Sequence, residues 1–375
     1  MSNLTERYPL PNQPMCTICQ TGSCSQGGDI IYADNNATGR RILNYVPELA
    51  LMEVVEPGDM SEYVNPNADR GPIGRQLKAV LAGLESVAPE ELVIDGSGLN
   101  RMKLLPNLYG AKSVVTIAND FPGYKAAATS CNLPHYEIPC GIWEPTLSEG
   151  DAVQTVAVLD KPLVFLSMPV TNPGQTVVGL GVARAILRAH PEALVIIDSA
   201  YRRDNILSED YVQFALKEDR VLYMNVAAKD LGSCGARVSW MIGSPRMLDP
   251  IRQDVCPYPV SMHAARYLAK LATKPHVVEK IHHVQRAAVD VYRDWLPSSG
   301  LKYKTGAGPW VLIHIGQDVA NVVKDLTEVY GILVQDQSGK AADLEGWIRV
   351  SANVPCDAIK VTRAISERVL AIKAA

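Results

Sequence analysis

Between about Ile73 and Gly243 the chain alternates short apolar runs rich in β-branched residues with stretches of helical periodicity, and this alternation constrains the fold more than any other feature. A strand that is apolar at nearly every position must be covered on both faces, which is the situation in a parallel sheet flanked by helices. The strand-like runs are Leu92–Asp95, Ser113–Ala118, Leu163–Ser167, Leu194–Asp198, Val221–Val226 and Val238–Ile242. Amphipathic stretches such as Gly179–Ala189 lie between them. With 375 residues, 47% of them hydrophobic, the chain has apolar material for this core and a second, smaller one.

The character changes after Pro245. A polar helical region carrying His and Arg runs from about Met262 to Trp295, interrupted near Pro275. Apolar strand-like runs follow at Val311–Ile315, Ile332–Gln335 and Trp347–Ser351, with a closing helix from about Asp357. The pattern predicts an α/β fold: a large domain over 51–250 with a mostly parallel central sheet, then a connecting helix and smaller α+β domain over 251–375. Residues 1–50 form an N-terminal arm belonging to the small domain.

A net charge of −4 supplies no basic field for nucleic acid or anionic lipid. The polar, Pro-rich start and the lack of an apolar run of about 18 residues point to a cytoplasmic protein without a membrane span. The eight cysteines read as reduced thiols in this setting. Cys16, Cys19 and Cys24 cluster near the start but have no fourth ligand nearby, so no metal is expected.

In an open parallel sheet the ligand sits beyond the carboxyl ends of the strands, so polar residues just after apolar runs are the ones to inspect. Gly96, Ser97 and Gly98 follow the first run and precede a helix, an arrangement whose amides can cradle a phosphate. Asn172 follows the third run, Asp198 ends the fourth with Tyr201 three residues on, Lys229 follows the fifth, and Arg237 lies eight residues further. Taken singly these are turn, cap and surface residues. Together they match one cofactor, which needs an amine for a Schiff base, a carboxylate on a pyridine nitrogen, donors to a phenolic oxygen and a cation on a phosphate.

In that order the residues resemble the class I/II aminotransferases of the fold-type I pyridoxal phosphate enzymes, most nearly the histidinol-phosphate aminotransferase group. The segments "FLSMPVTNPGQ", "DSAY" and "AAKDLGSCGARVSWMIG" carry the likeness. The resemblance implies Asn172 and Tyr201 on the phenolic oxygen, Asp198 on the pyridinium, Lys229 as the Schiff-base residue and Arg237 on the phosphate. "NDFPGY" resembles the segment that stacks a ring on the pyridine, with Phe121 as first candidate and Tyr124 as second. "YGILVQDQSG" and "WIRVSANVP" resemble the segment whose Arg grips a substrate α-carboxylate, here Arg349. Tyr63 resembles a tyrosine that reaches the phosphate from a partner subunit, which implies a homodimer. The substrates implied are an amino acid and, for transamination, a keto acid.

Several positions depart from the family. Ala227 and Ala228 stand where hydroxyl residues usually precede the lysine, Asn119 replaces a Pro, and Pro309 replaces a substrate-facing Asn. The arm segment Asp34–Gly39 lacks the family's Glu and Pro. These changes leave a lyase, decarboxylase or cyclase on an amino acid as the alternative to an aminotransferase in specialised biosynthesis, and a non-catalytic binding relative as a third reading. Arg101, Tyr124 and Arg202 have surface explanations as good as functional ones.

Overall fold

The computed structural model describes residues 31–32, 42, 45–49, 63–67, 71–141, 143–170, 176–201, 210–306, 308–340, 342–351 and 354–374. The chain divides into two compact units, one of Leu49–Val278 and one of Met1–Glu48 with Glu279–Ala375. In chain order the strands are β1 (Ile31–Tyr32), β2 (Leu92–Asp95), β3 (Ser113–Ile117), β4 (His135–Ile138), β5 (Pro162–Ser167), β6 (Leu194–Asp198) and β7 (Val221–Val226). They continue with β8 (Ser239–Gly243), β9 (Lys302–Lys304), β10 (Trp310–His314), β11 (Ile332–Leu333), β12 (Gln335–Asp336) and β13 (Trp347–Ser351).

The larger unit is built on a seven-stranded sheet in the order β2-β8-β7-β6-β5-β3-β4. Pairing is parallel from β4 through β7, and β8 is antiparallel to both β7 and β2. The sheet is therefore α/β and mostly parallel, as the apolar runs predict. Every residue of β3 and β5 is buried, which is why those runs read as continuous. Burying a Val, Leu or Ile side chain contributes roughly 1.5–3 kcal/mol, so these strands carry much of the driving force. β4, sequence HYEI, is one of the two edge strands and exposes two of its four residues, so no continuous apolar run marks it.

Short polar signals start and stop the helices around this sheet. The Ser97 hydroxyl accepts the Asn100 N–H and caps helix Gly98–Leu108, while Ser148 and Asp210 do the same for Glu149–Val156 and Tyr211–Lys217. Helix Pro122–Ser130 opens on proline, whose missing N–H costs nothing in a first turn.

The smaller unit holds a four-stranded antiparallel sheet in the order β12-β13-β10-β9, and β1 pairs in parallel with β11. Its core joins β10 and β13 to Val291 and Tyr292 of helix Pro275–Ser299 and to Val361 and Ile365 of helix Pro355–Ala374. The break near Pro275 falls between helix Met262–Ala272 and this long helix.

Candidate active site

Because β5, β6 and β7 run in parallel, their carboxyl ends share one edge of the large sheet: Ser167 lies beside Asp198, and Asp198 beside Met224. The end of β2 and the start of β8 join the same edge, with Asp95 beside Ser239 and Ser239 beside Val226. Gly96, Ser97, Gly98, Phe121, Asp198, Tyr201, Lys229 and Arg237 all follow or precede strand ends on this edge.

At one end of the edge, Ser97 and Arg237 come together, with Arg237 Nη2 donating to Ser97 Oγ at 3.3 Å. Arg237 is exposed and takes a left-handed φ of 52°, a conformation that costs a non-glycine residue about 1 kcal/mol or more. A guanidinium beside the amides of a helix start is suited to phosphate. Packing demands the two glycines as well: a Cβ on Gly96 would collide with the Pro259 carbonyl, and one on Gly98 would lie 3.0 Å from Val226 Cγ1. Arg101, buried at 3% exposure, bridges Asp95 and Asp254 at 2.6 Å each, and Asp95 accepts the Gly96 N–H at 2.6 Å. Arg101 is thus the brace of this turn.

Lys229 lies in the one-turn helix Ala227–Asp230, half-buried, with Nζ 5.6 Å from the centre of the Tyr201 ring. Its neighbour Asp230 is buried and accepts from Asn225 Nδ2 at 3.1 Å. The same amide nitrogen faces Glu85 Oε1 at 3.2 Å, and Trp240 Nε1 donates to that oxygen at 2.8 Å. A buried polar cluster of this kind fixes the turn that carries the lysine.

Asp198 is the centre of the other end. It is 5% exposed and accepts from the Tyr124 hydroxyl at 2.7 Å and the Ala200 N–H at 3.0 Å, both neutral donors. Burial pushes its carboxyl up to about 6, the charge of Asp120 adds to the rise, and the two hydrogen bonds oppose it. Tyr124 is fully buried and stacked on Phe165 at 4.9 Å. Burial and the nearby carboxylates hold its phenol protonated, so it is a donor. That leaves Phe121 as the open ring: 38% exposed and edge-on to Tyr124 at 5.4 Å.

Tyr63 is 80% exposed and stacks on Tyr258 at 4.5 Å. In the smaller unit, Arg349 on β13 sits 5.3 Å from the Trp310 ring centre. Lys340 Nζ donates to Gln337 at 3.0 Å, and burial, then the charge of Arg349, push its ammonium down to about 8, against a smaller opposing effect of Asp336. Asn172, Arg202, the arm segment Asp34–Gly39 and Cys16, Cys19 and Cys24 lie outside the described residues. Among the described residues no group of three His, Cys, Asp or Glu side chains is placed to hold a metal ion.

The sequence pattern of the family described as Aminotransferase class I and II matches residues 102–366. The chain belongs to that family. It is 25% identical to a histidinol-phosphate aminotransferase of Symbiobacterium thermophilum over 84% of this chain and 93% of that protein. It is 27% identical to an aromatic amino acid aminotransferase of Thermobifida fusca over 80% of each. The crystal structure of histidinol-phosphate aminotransferase from Sinorhizobium meliloti in complex with pyridoxal 5'-phosphate superimposes with a TM-score of 0.75 at 19% identity, covering 99% of this chain and 98% of that one.

The protein is accordingly a pyridoxal phosphate-dependent aminotransferase with the fold-type I architecture. Its own residues fit the cofactor. A buried carboxylate whose donors are both neutral suits a protonated ring nitrogen, and the paired Ser97 and Arg237 suit a phosphate. Tyr124, second candidate for the stacking ring, is placed as donor to Asp198, and Asp120 with Ser167 beside it are residues near the site that sequence reasoning did not assign. The available signal was position, since Asp120 and Tyr124 flank Phe121 within "NDFPGY".

Proposed function

We propose that this aminotransferase acts on an amino acid, with Lys229 holding the cofactor as a Schiff base. Asp198 takes the ring nitrogen, Tyr201 and Asn172 the phenolic oxygen, Phe121 the ring face, and Gly96, Ser97, Gly98 and Arg237 the phosphate. Arg349 takes the substrate's α-carboxylate through a planar bidentate fork. Tyr63 serves the phosphate site of a second copy in a homodimer, and the protein works in the cytoplasm; no described helix is long and apolar enough to cross a membrane.

The observation that carries this reading is the buried Asp198 carboxylate, whose donors among the described residues are neutral, on the same sheet edge as Lys229 and Arg237. When bound, pyridoxal phosphate supplies an electron sink for a bond broken at the substrate Cα. Asp198 would keep the proton on the ring nitrogen, Tyr124 would hold the orientation of that carboxylate, and Lys229 Nζ would move the substrate's Cα proton. The braced turn at Asn225 and Asp230 limits where that amine can reach.

The test is to incubate the cofactor-loaded protein with one amino acid at a time, without a keto acid, following absorbance and product masses. Release of the matching keto acid with conversion of the cofactor to its amino form supports the reading. An amine formed with loss of carbon dioxide, or a cyclised or eliminated product with the starting spectrum restored, overturns transamination in favour of a decarboxylase, cyclase or lyase. Lys229→Ala is expected to lose the visible absorbance and the activity together.

A further inference from the structure

We propose that Asp120 is a positioning residue for the cofactor site, a second buried carboxylate that acts on Asp198 through Ser167 and Tyr124 and helps keep the ring nitrogen protonated. This rests on the assignment of Asp198 to the ring nitrogen. Three neighbouring strands build the cluster: β3 leads into Asp120, β5 ends on Ser167, and β6 ends on Asp198 in register with Ser167. The Ser167 hydroxyl, fully buried, bonds the Asp120 carboxylate, which is itself 7% exposed. Tyr124, four residues after Asp120, packs on Phe165 of β5 and donates to Asp198.

An aspartate just before a proline-led helix is ordinarily a cap, but here it is not. The N-cap of helix Pro122–Ser130 is Phe121, no side chain caps that terminus, and the described bond of the Asp120 carboxylate goes to Ser167. Burying a carboxylate beside another costs stability unless a cation arrives to share them. A protonated ring against Asp198 is such a cation, and a second negative charge close behind favours that protonation further. Tyr124 from the following helix and Asp198 from β6 face Asp120, and β5 presents the Ser167 hydroxyl. His135 of β4 bonds the Thr116 hydroxyl, and the charges of Glu137 and Lys125 act on that imidazole.

The experiment loads wild type, Asp120→Asn, Ser167→Ala and Asp198→Asn with pyridoxal phosphate and measures cofactor Kd and the pH midpoint of the visible absorbance change. Removing a nearby negative charge disfavours the cationic form, so Asp120→Asn is expected to lower the midpoint by about one pH unit and weaken binding several-fold. Asp120→Glu restores the midpoint. Ser167→Ala shifts it less and in the same direction, because Asp120 then loses a donor that stabilises its charge. A midpoint for Asp120→Asn equal to wild type, with Asp198→Asn strongly shifted, overturns the role of Asp120 alone. Unchanged spectra in Asp198→Asn overturn the underlying assignment instead. Should Asp120→Asn fail to fold, the Ser167→Ala midpoint decides: lowered supports the role, unchanged removes it.

Discussion

The two ends of the strand edge handle buried charge in opposite ways. Around β2 and β8, Arg101 sits between Asp95 and Asp254, so the carboxylates that hold the glycine turn already share a cation in the free protein. Around β3, β5 and β6, Asp120 and Asp198 are buried together, and the donors to Asp198 are neutral. The first arrangement serves folding. The second, at Asp198, is costly to the free protein and favourable once a cation is supplied, which is how a binding site stores affinity at the expense of stability.

The contrast is broken most sharply at Arg101. Arg101→Met leaves Asp95 and Asp254 facing each other without the guanidinium, and the expected loss is about 3–5 kcal/mol, read as a lower urea midpoint with or without cofactor. An unchanged midpoint would mean that the bridge is not structural.

Asp198→Asn should do the reverse in the cofactor-free protein. The folded carboxyl titrates near 6, above its unfolded value near 3.8, so the stability linked to it is fully present below about pH 4 and lost as pH rises through 6. Above pH 7 the wild-type protein therefore carries a penalty on the order of 2–3 kcal/mol that the Asn variant lacks. The free variant should be the more stable protein at pH 8, with the advantage shrinking toward pH 4, while its cofactor affinity falls. A variant destabilised at pH 8 would show that Asp198 is already satisfied without the cofactor.

The sheet was legible because its strands obey a rule that needs no partners: buried on both faces, they are apolar at almost every position, as Val195, Ile196 and Ile197 are. β4 and β9 were not, since HYEI and KYK lie at sheet edges, where one neighbour and a few exposed side chains suffice. The strand-end polar residues stood out for the same reason the strands did, by contrast with what precedes them. Ser167 could not stand out, as it closes an apolar run and its hydroxyl bonds Asp120, 47 positions earlier. Arg101 resembled a surface charge because its second partner, Asp254, is 153 residues away, and Asp95 six residues before it does not by itself mark a buried bridge.

Ser97→Ala gives a smaller effect that touches both halves of the contrast. It removes the cap on Asn100 and the partner of Arg237, so about 1 kcal/mol of stability should go, together with a few-fold loss in cofactor affinity. Loss of stability without loss of affinity would make the hydroxyl a cap and nothing more.

The smallest effect comes from the smaller unit, where the imbalance is of the opposite sign. Lys340 and Arg349 are like charges, and burial with the neighbouring guanidinium brings the Lys340 ammonium down to about 8. An anion at Arg349 would relieve that repulsion and hold Lys340 charged, as a protonated ring would relieve Asp198. Lys340→Gln is therefore expected to raise KM for a carboxylate substrate by about two- to fivefold at pH 7, the range of one partly solvated ion pair. Lys340 is charged below pH 8 and neutral above it, so the difference between variant and wild type should fade as pH rises past 9. A KM ratio that is flat with pH would leave Lys340 a packing residue, and kcat should stay unchanged throughout, because the lysine is proposed to act on binding and not on the proton moved by Lys229.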